Sequence, residues 1–165
     1  MKKIILVLCL LITLSGCQLL NKTNNDVEDR YKGLVDMLKA HESFYDGSNY
    51  YNISGQMAKI DGGYRYYVTI DSPSIAMYDL EAIAIEKGVD YNKVMAANIG
   101  IFEENEYCLV PNQTNPDKGY YAGAIMSGVS SEPETTLYIF VQFKNEDYSN
   151  NHTEYIKLDV KYEEE

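Results

Sequence analysis

The sequence predicts a mainly β protein, an antiparallel β-sandwich of about seven to eight strands preceded by one amphipathic helix. Short segments with apolar residues at every second position recur through most of the chain. Clusters of Gly, Asn, Asp and Ser separate these segments and are typical of turns. The long alternation of strands with helices that a parallel sheet needs does not occur in the pattern.

One segment near the start follows a helical period. Glu28 and Lys32 stand four residues apart, which predicts a salt bridge along one helix face. We expect a helix from 26 to about 43, within a helical segment 26–45, with its apolar stripe packed on the domain. The alternative is that the stripe binds a partner. The stripe repeats at helical spacing and consists of Val27, Tyr31, Leu34, Val35 and Leu38.

The sandwich is assigned to 46–165, and its clearest unit is a hairpin. A strand from Tyr50 alternates polar and apolar residues, and Asp61-Gly62-Gly63 supplies a tight turn into a return strand over 64–71. Segment 80–86 is predicted as a strand, although a window from Ala76 also fits two helical turns. The loops are predicted at 87–94, 112–119 and 127–133, and the further strands at 95–102, 107–110, 120–126, 137–143 and 154–161.

Segment 137–143 is apolar on both faces, as in a central strand. The number and spacing of the strands resemble those of the immunoglobulin-type sandwiches common on bacterial surfaces. The chain has no Trp, so the Cys…Trp…Cys pattern of antibody domains is absent. The resemblance therefore implies an immunoglobulin-like sandwich through strand count and spacing alone.

The first residues have the pattern of an export signal. Lys2 and Lys3 precede an apolar run from Ile4 to Leu14, which is shorter than the roughly twenty residues that span a bilayer. Leu14-Ser15-Gly16-Cys17 follows. This segment resembles the lipobox of bacterial lipoproteins, an aliphatic residue and two small residues before a cysteine.

The resemblance implies that residues 1–16 are a signal peptide, cleaved between Gly16 and Cys17. Cys17 would then carry a diacylglycerol, residues 17–25 would form a tether, and the domain would be anchored on the extracytoplasmic face of the cell membrane. The alternative is an ordinary secretory signal. The stretches YRYYVTIDSP, ANIGIF and GYYAGAIMSG also resemble small lipoproteins of low-GC Gram-positive bacteria, a likeness that implies no activity.

The charge excludes some partners. The formal net charge is −11, and it becomes −13 without residues 1–16, which contain two lysines and no acids. Such a chain repels phosphate backbones, so we expect no nucleic-acid partner. Its lipid would be its only membrane contact, because no polybasic segment is present.

No motif predicts a catalytic residue, a cofactor or a metal site. His41 and His152 stand outside any nucleophile motif and are predicted to be exposed, and Cys108 is predicted to be a small buried residue. The sixteen tyrosines fit either a surface that binds sugars or proteins, or ordinary strand formers. The acid-rich segments 46–49, 90–92 and 145–147 are typical of turns, and calcium binding is the less favoured alternative. The spacing of Asp71, Asp79 and Glu81 does not favour acid–base chemistry.

These observations favour a lipid-anchored, non-enzymatic surface domain that binds or supports an envelope protein or cell-wall glycan. The alternative is a small cell-envelope hydrolase or an enzyme accessory subunit.

Overall fold

The computed structural model describes residues 26–103 and 105–164. The predicted signal peptide, Cys17 and the predicted tether lie outside these residues. The chain divides into two compact units, Met1–Gly33 and Leu34–Glu165. The first unit is described only over 26–33, which is helical and contains the predicted salt bridge between Lys32 and Glu28, with Nζ and Oε2 3.8 Å apart. No helix in the described ranges is long and apolar enough to cross a membrane.

Over the described residues, the chain forms one α-helix and seven strands in two antiparallel sheets. Helix α1 spans 26–40. A short 3-10 helix, Pro116–Lys118, lies in the long connection between the fourth and fifth strands. The strands are β1 (Asn52–Ile60), β2 (Gly63–Asp71), β3 (Tyr78–Glu86), β4 (Ala97–Ile99), β5 (Gly123–Ser130), β6 (Glu134–Lys144) and β7 (Asn151–Lys161).

The strand order is β1-β2-β5 in one sheet and β4-β3-β6-β7 in the other. The predicted hairpin is confirmed. Strands β1 and β2 pair from Asn52 opposite Asp71 to Ile60 opposite Gly63, and Gly62 in the turn has φ 83°. Glycine adopts this left-handed conformation without the steric penalty of a Cβ.

One hydrophobic core joins the two sheets. Tyr66, Val68 and Ile70 of β2 contribute from the three-stranded sheet, together with Ala124 and Met126 of β5. The four-stranded sheet contributes Leu80, Ala82 and Ala84 of β3, Leu137, Ile139, Val141 and Phe143 of β6, and Ile156 and Val160 of β7.

Strands β3 and β6 are buried on both faces, as the apolar pattern of 137–143 predicts. Ile83, Ile85 and Phe140 alternate with the core residues and are 0%, 1% and 2% exposed. The second half of α1 covers this outer face: Leu38 lines a cavity of about 100 Å³ with Ile85 and Tyr138. The expectation that the helical stripe packs on the domain is confirmed for this half.

The connection after α1 stays on the same sheet. The Tyr155 hydroxyl donates to Met37 Sδ over 3.3 Å, and the His41 ring stacks on Tyr155 with centroids 3.6 Å apart. The Tyr45 N–H then donates to the Tyr155 carbonyl oxygen over 2.8 Å, and the Lys157 N–H to the Tyr45 carbonyl oxygen over 2.9 Å. The helix therefore ends at residue 40 rather than near 43, because the following residues pack on β7.

Strands β6 and β7 begin three residues before the predicted 137 and 154, and three other strand predictions differ more. Segment 95–102 is a strand only at Ala97–Ile99. Segment 107–110 makes isolated bridges instead of a regular strand, such as Leu109 with Met77 and Cys108 with Tyr120. The strand predicted at 120–126 begins at Gly123 and continues to Ser130. Residues 127–130 of the predicted loop 127–133 are therefore paired strand, because β2 extends far enough to pair with them.

We expect Leu38→Ala to lower the free energy of unfolding by about 2–5 kcal/mol, because it leaves a cavity beneath the helix. Leu38 is 1% exposed. The exposed Asp36 on the same helix provides the matched control, and Asp36→Ala should change stability by no more than about 0.5 kcal/mol. Urea unfolding followed by circular dichroism measures both. Equal effects of the two substitutions would contradict the docking of this half of the helix.

Candidate functional site

The strand register gathers four connections at one end of the sandwich. Residue Tyr107 links the two sheets there: its carbonyl oxygen accepts the Leu80 N–H over 2.7 Å, and its hydroxyl donates to the Gly123 carbonyl oxygen over 2.7 Å. The aligned strand ends are Asn52, Asp71 and Gly123 in one sheet and Tyr78, Lys144 and Asn151 in the other. The connections 44–51, 72–77, 105–122 and 145–150 therefore leave the same end.

Half of the sixteen tyrosines lie at this end, which we call the tyrosine-rich end. Described residues at this end also line open clefts, so the tyrosines lie beside surfaces that a ligand can reach. The sequence gives their number, but only the topology brings them together. They are Tyr45, Tyr50, Tyr51, Tyr78, Tyr107, Tyr120, Tyr121 and Tyr148.

A stacked pair of rings forms the centre of this end. Residues Tyr107 and Tyr121 stack with centroids 4.2 Å apart and planes at 19°. Because the Tyr107 hydroxyl is bonded to Gly123, its ring is held in place and supports one face of Tyr121. Tyr121 lines two neighbouring clefts, of about 580 and about 290 Å³. Its ring is therefore positioned before any ligand arrives.

The larger cleft combines this ring with polar groups. Residues Asp71, Asn112, Gln113 and Thr114 line it with Tyr121. Amide and carboxylate groups pair with the hydroxyls of a polar ligand, while an aromatic ring contacts its apolar face. Asp71 Oδ1 already accepts a hydrogen bond of 3.2 Å from the Asn52 amide, which orients the carboxylate. Such an arrangement suits a sugar or a polar peptide.

Charged side chains contact another tyrosine of this end, Tyr148. The Tyr148 hydroxyl donates to Glu106 Oε2 over 2.7 Å, and this bond, more than burial, raises the pKa of Tyr148. Lys144 Nζ lies 2.5 Å from Asp79 Oδ2 and 5.6 Å from the centroid of the Tyr148 ring. The hydrogen bond to Asp79 raises the pKa of Lys144. Lys144 is therefore held as a cation against Asp79 and Tyr148.

A third cleft, of about 330 Å³, contains His152 and Glu154 of β7 together with Tyr45, Asn49 and Tyr50. The His152 ring stacks on Phe143 with centroids 5.0 Å apart and planes at 11°. Among the described residues, no hydrogen bond joins His152 to Glu154. The two side chains share a cleft, but they do not form a hydrogen-bonded acid–base pair.

Behind this cleft lies a buried tyrosine hydroxyl. Tyr51 is 5% exposed, and neither its hydroxyl nor Glu154 Oε2 has a hydrogen bond of standard geometry within the described part of the chain. Burial, followed by the nearby Glu154 carboxylate, raises the pKa of Tyr51 well above its usual range. Ionisation of Tyr51 in the folded protein is therefore strongly disfavoured.

The predicted chemical residues have mixed outcomes. The prediction that Cys108 is buried is confirmed at 2% exposure, and burial raises the pKa of its thiol. The prediction that both histidines are exposed is wrong, because His41 stacks on Tyr155 and His152 on Phe143. Cys17 lies outside the described residues.

Two of the acid-rich segments, 90–92 and 145–147, contain hydrogen bonds typical of turns. Asp90 Oδ1 accepts the Asn92 N–H over 3.2 Å, and Asp147 Oδ1 accepts the Ser149 N–H over 3.0 Å. The bond to the Asn92 backbone lowers the pKa of Asp90. Within 26–103 and 105–164, no three His, Cys, Asp or Glu side chains converge as metal ligands.

Comparison with known proteins concerns the start of the chain. The family model of prokaryotic membrane lipoprotein lipid attachment sites matches residues 1–18. This match supports a bacterial membrane lipoprotein, with a signal peptide and a lipid anchor. No curated protein and no solved structure matches the chain.

We expect Tyr51→Phe to reduce the loss of free energy of unfolding that the protein shows at alkaline pH. In the unfolded chain Tyr51 loses its proton near its usual pKa of 10.0, whereas the folded protein retains it. Its contribution to stability is therefore present below pH 10 and is lost above it, by about 1.4 kcal/mol per pH unit.

Urea unfolding at pH 8 and pH 11 measures this difference. At pH 8, Tyr51→Phe should change stability by less than about 1 kcal/mol, because the hydroxyl lacks a hydrogen bond of standard geometry. An unchanged loss of stability between pH 8 and pH 11 would show that Tyr51 does not keep its proton in the fold.

Proposed function

We propose that the chain is a lipid-anchored, extracytoplasmic surface domain that binds a component of the cell envelope without catalysing a reaction. Residue Cys17 carries the lipid after cleavage between Gly16 and Cys17. The match of residues 1–18 to lipid attachment sites supports the anchor. The tyrosine-rich end supports the binding role, because its rings and polar groups line open clefts.

The proposed domain is immunoglobulin-like. Its first sheet takes strands β1, β2 and β5, and its second takes β4, β3, β6 and β7. The chain therefore crosses between the sheets after β2, β4 and β5, which supports an immunoglobulin-like connection of the strands. Such sandwiches present their loops at the ends, where the clefts lie. The likeness to lipoproteins of low-GC Gram-positive bacteria stays a prediction.

One observation carries the choice of ligand. The Tyr121 ring is supported by Tyr107 and lines the cleft that also contains the polar side chains of Asn112, Gln113 and Asp71. Rings and amides together bind the alternating apolar and hydroxyl-bearing surfaces of a sugar. The proposed partner is therefore a cell-wall glycan, with an envelope protein as the other candidate. A strongly anionic polymer would be repelled by a mature net charge of −13.

The cleft with His152 and Glu154 favours a second candidate, a small envelope hydrolase or an accessory subunit of one. A histidine and a carboxylate can act as acid and base when a substrate lies between them. Ligand binding can tighten loose catalytic geometry, so a direct assay of the polymer distinguishes this candidate from simple binding.

For the anchor, Cys17→Ala should abolish metabolic labelling with palmitate and release the protein or leave its precursor uncleaved. The thiol of Cys17 is the atom that would be acylated. Cys108→Ala is the matched control and should keep full labelling, because Cys108 is 2% exposed in the fold. Undiminished labelling of Cys17→Ala would refute the anchor.

For the ligand, Tyr121→Ala should weaken co-sedimentation of the protein with isolated cell walls by about two- to tenfold, because a lost ring contact costs about 0.5–1.5 kcal/mol and 1.4 kcal/mol is tenfold. Tyr67→Ala removes a 38% exposed tyrosine from the middle of β2 and should bind as the unmodified protein does.

Two other results would redirect the assignment. Equal binding by Tyr121→Ala and Tyr67→Ala would exclude the tyrosine-rich end as the wall site. Soluble wall fragments that appear with the unmodified protein and disappear with Glu154→Gln would favour the hydrolase.

A further inference from the structure

Strand β5 forms an unprotected edge of the three-stranded sheet. Over the described residues β2 is the only strand hydrogen-bonded to it, and no other backbone hydrogen bond reaches residues 124–129. Natural edge strands are commonly protected by charged side chains, by proline or by a covering segment. From Gly119 to Ser131 the chain has none of Asp, Glu, Lys, Arg or Pro.

The other long edges of the sandwich are protected. Strand β1 carries Lys59 and is bordered by Asp61. Strand β7 carries Lys157 and Lys161, and its backbone bonds at residues 155 and 157 are taken by Tyr45. The absence of protection is therefore particular to the β5 side.

Large apolar side chains are also exposed on the β5 side. Residues Ile125 and Val129 of β5 are 62% and 56% exposed. Strand β4 contacts β5, and the segments beside β4 expose Val94, Met95 and Phe102. Five of the eight large apolar side chains that are exposed in the described residues thus belong to β5 or to the flanks of β4. Exposed apolar groups concentrated beside an open edge indicate an interaction surface.

We propose that β5 pairs with β5 of a second copy of this chain, antiparallel and about a two-fold axis at Ser127. In this register Ser127 lies opposite Ser127 of the other copy, and Ile125 lies opposite its Val129. Each exposed apolar side chain of one strand then meets one of the other. The two sheets join into one continuous sheet of six strands.

The sequence of the strand favours this occupant and this register. In a two-fold antiparallel pairing each strand lies opposite a copy of itself that runs in the reverse direction. The exposed apolar residues must therefore be placed symmetrically about the axis. The order Ile125, Ser127, Val129 meets this condition when the axis passes through Ser127. An axis at Met126 or Gly128 would place Ile125 or Val129 opposite a polar or glycine residue instead. The absence of charge from Gly119 to Ser131 also lets two acidic chains approach along this edge.

Oxidative cross-linking of the full-length lipidated protein in its own membranes tests the pairing. In the proposed register the Ser127 side chains lie directly opposite, about 4.5–5.5 Å apart at Cβ, which is near disulfide range. Ser127→Cys should give a disulfide-linked dimer under mild oxidation. Gln56→Cys places a thiol at an exposed position on β1, the opposite edge of the same sheet, and should stay monomeric.

Charge substitutions then test the register. In the Ser127→Cys background, Ile125→Lys with Val129→Lys places lysines opposite each other and should reduce the dimer at least tenfold. Ile125→Lys with Val129→Glu places lysine opposite glutamate and should restore it. Both positions are exposed, so the fold should tolerate these changes, and protection of the buried Cys108 thiol from a maleimide verifies that each variant is folded.

Several results would overturn the proposal. These are the absence of a dimer in folded Ser127→Cys, equal dimerisation of Gln56→Cys, and a dimer that the lysine pair does not reduce. Cross-linking of Ser127→Cys to a different protein in place of a second copy would assign the edge to that partner and also reject the pairing of β5 with itself.

Discussion

The burial of β3 and β6 on both faces is the constraint on which the rest of the structure depends. Their inner residues fill the core shared by the two sheets, while Ile83, Ile85 and Phe140 need a second apolar layer outside. The second half of α1 and the connection after it provide that layer through Leu38 and the ring of His41 on Tyr155. Without it, the outer face of the four-stranded sheet would be a large exposed apolar surface.

This arrangement determines which surfaces are left for function. The core takes one face of the four-stranded sheet, and the second half of α1 with the connection after it covers apolar residues on the other face. The loop ends and the edge of the three-stranded sheet remain accessible. At the tyrosine-rich end, Lys144 and Asp79 are about one-third exposed, so their ion pair contributes no more than about 1 kcal/mol. The pair therefore adds little to the stability of the fold, and it keeps the Lys144 cation near the Tyr148 ring.

Local patterns predicted those parts of the fold that local chemistry determines. The hairpin at Asp61-Gly62-Gly63 follows from its turn residues, and the central position of 137–143 follows from apolar residues on both faces. The length of β5 did not follow, because Ser127 and Gly128 have the composition of a loop. The structure places Gly128 against the ring of Tyr66, where a Cβ would overlap the ring. The small residue serves packing inside a strand, and only the pairing of β2 with β5 reveals this.

The candidate site depends even more on topology. Residues Tyr50, Tyr107 and Tyr148 are far apart in sequence and lie at the same end of the sandwich only because the strand order brings four connections there. No spacing rule links them, and the family match ends at residue 18, so neither source could place the site. A count of sixteen tyrosines does not locate the site, because a binding surface and ordinary strands would both give a tyrosine-rich composition.

An anchor and an open edge reinforce each other physically. One strand pair buries little area, and interfaces of that size are weak between freely diffusing proteins. Two lipid chains would confine each copy to one surface, which raises its effective concentration for a neighbour in the same orientation. Mutual repulsion of the acidic domains is screened beyond about 8 Å at physiological salt, so the charge-free stretch around β5 matters most at contact. A β5 edge too weak to pair in solution could therefore still pair on the membrane, so membranes are the place to test it.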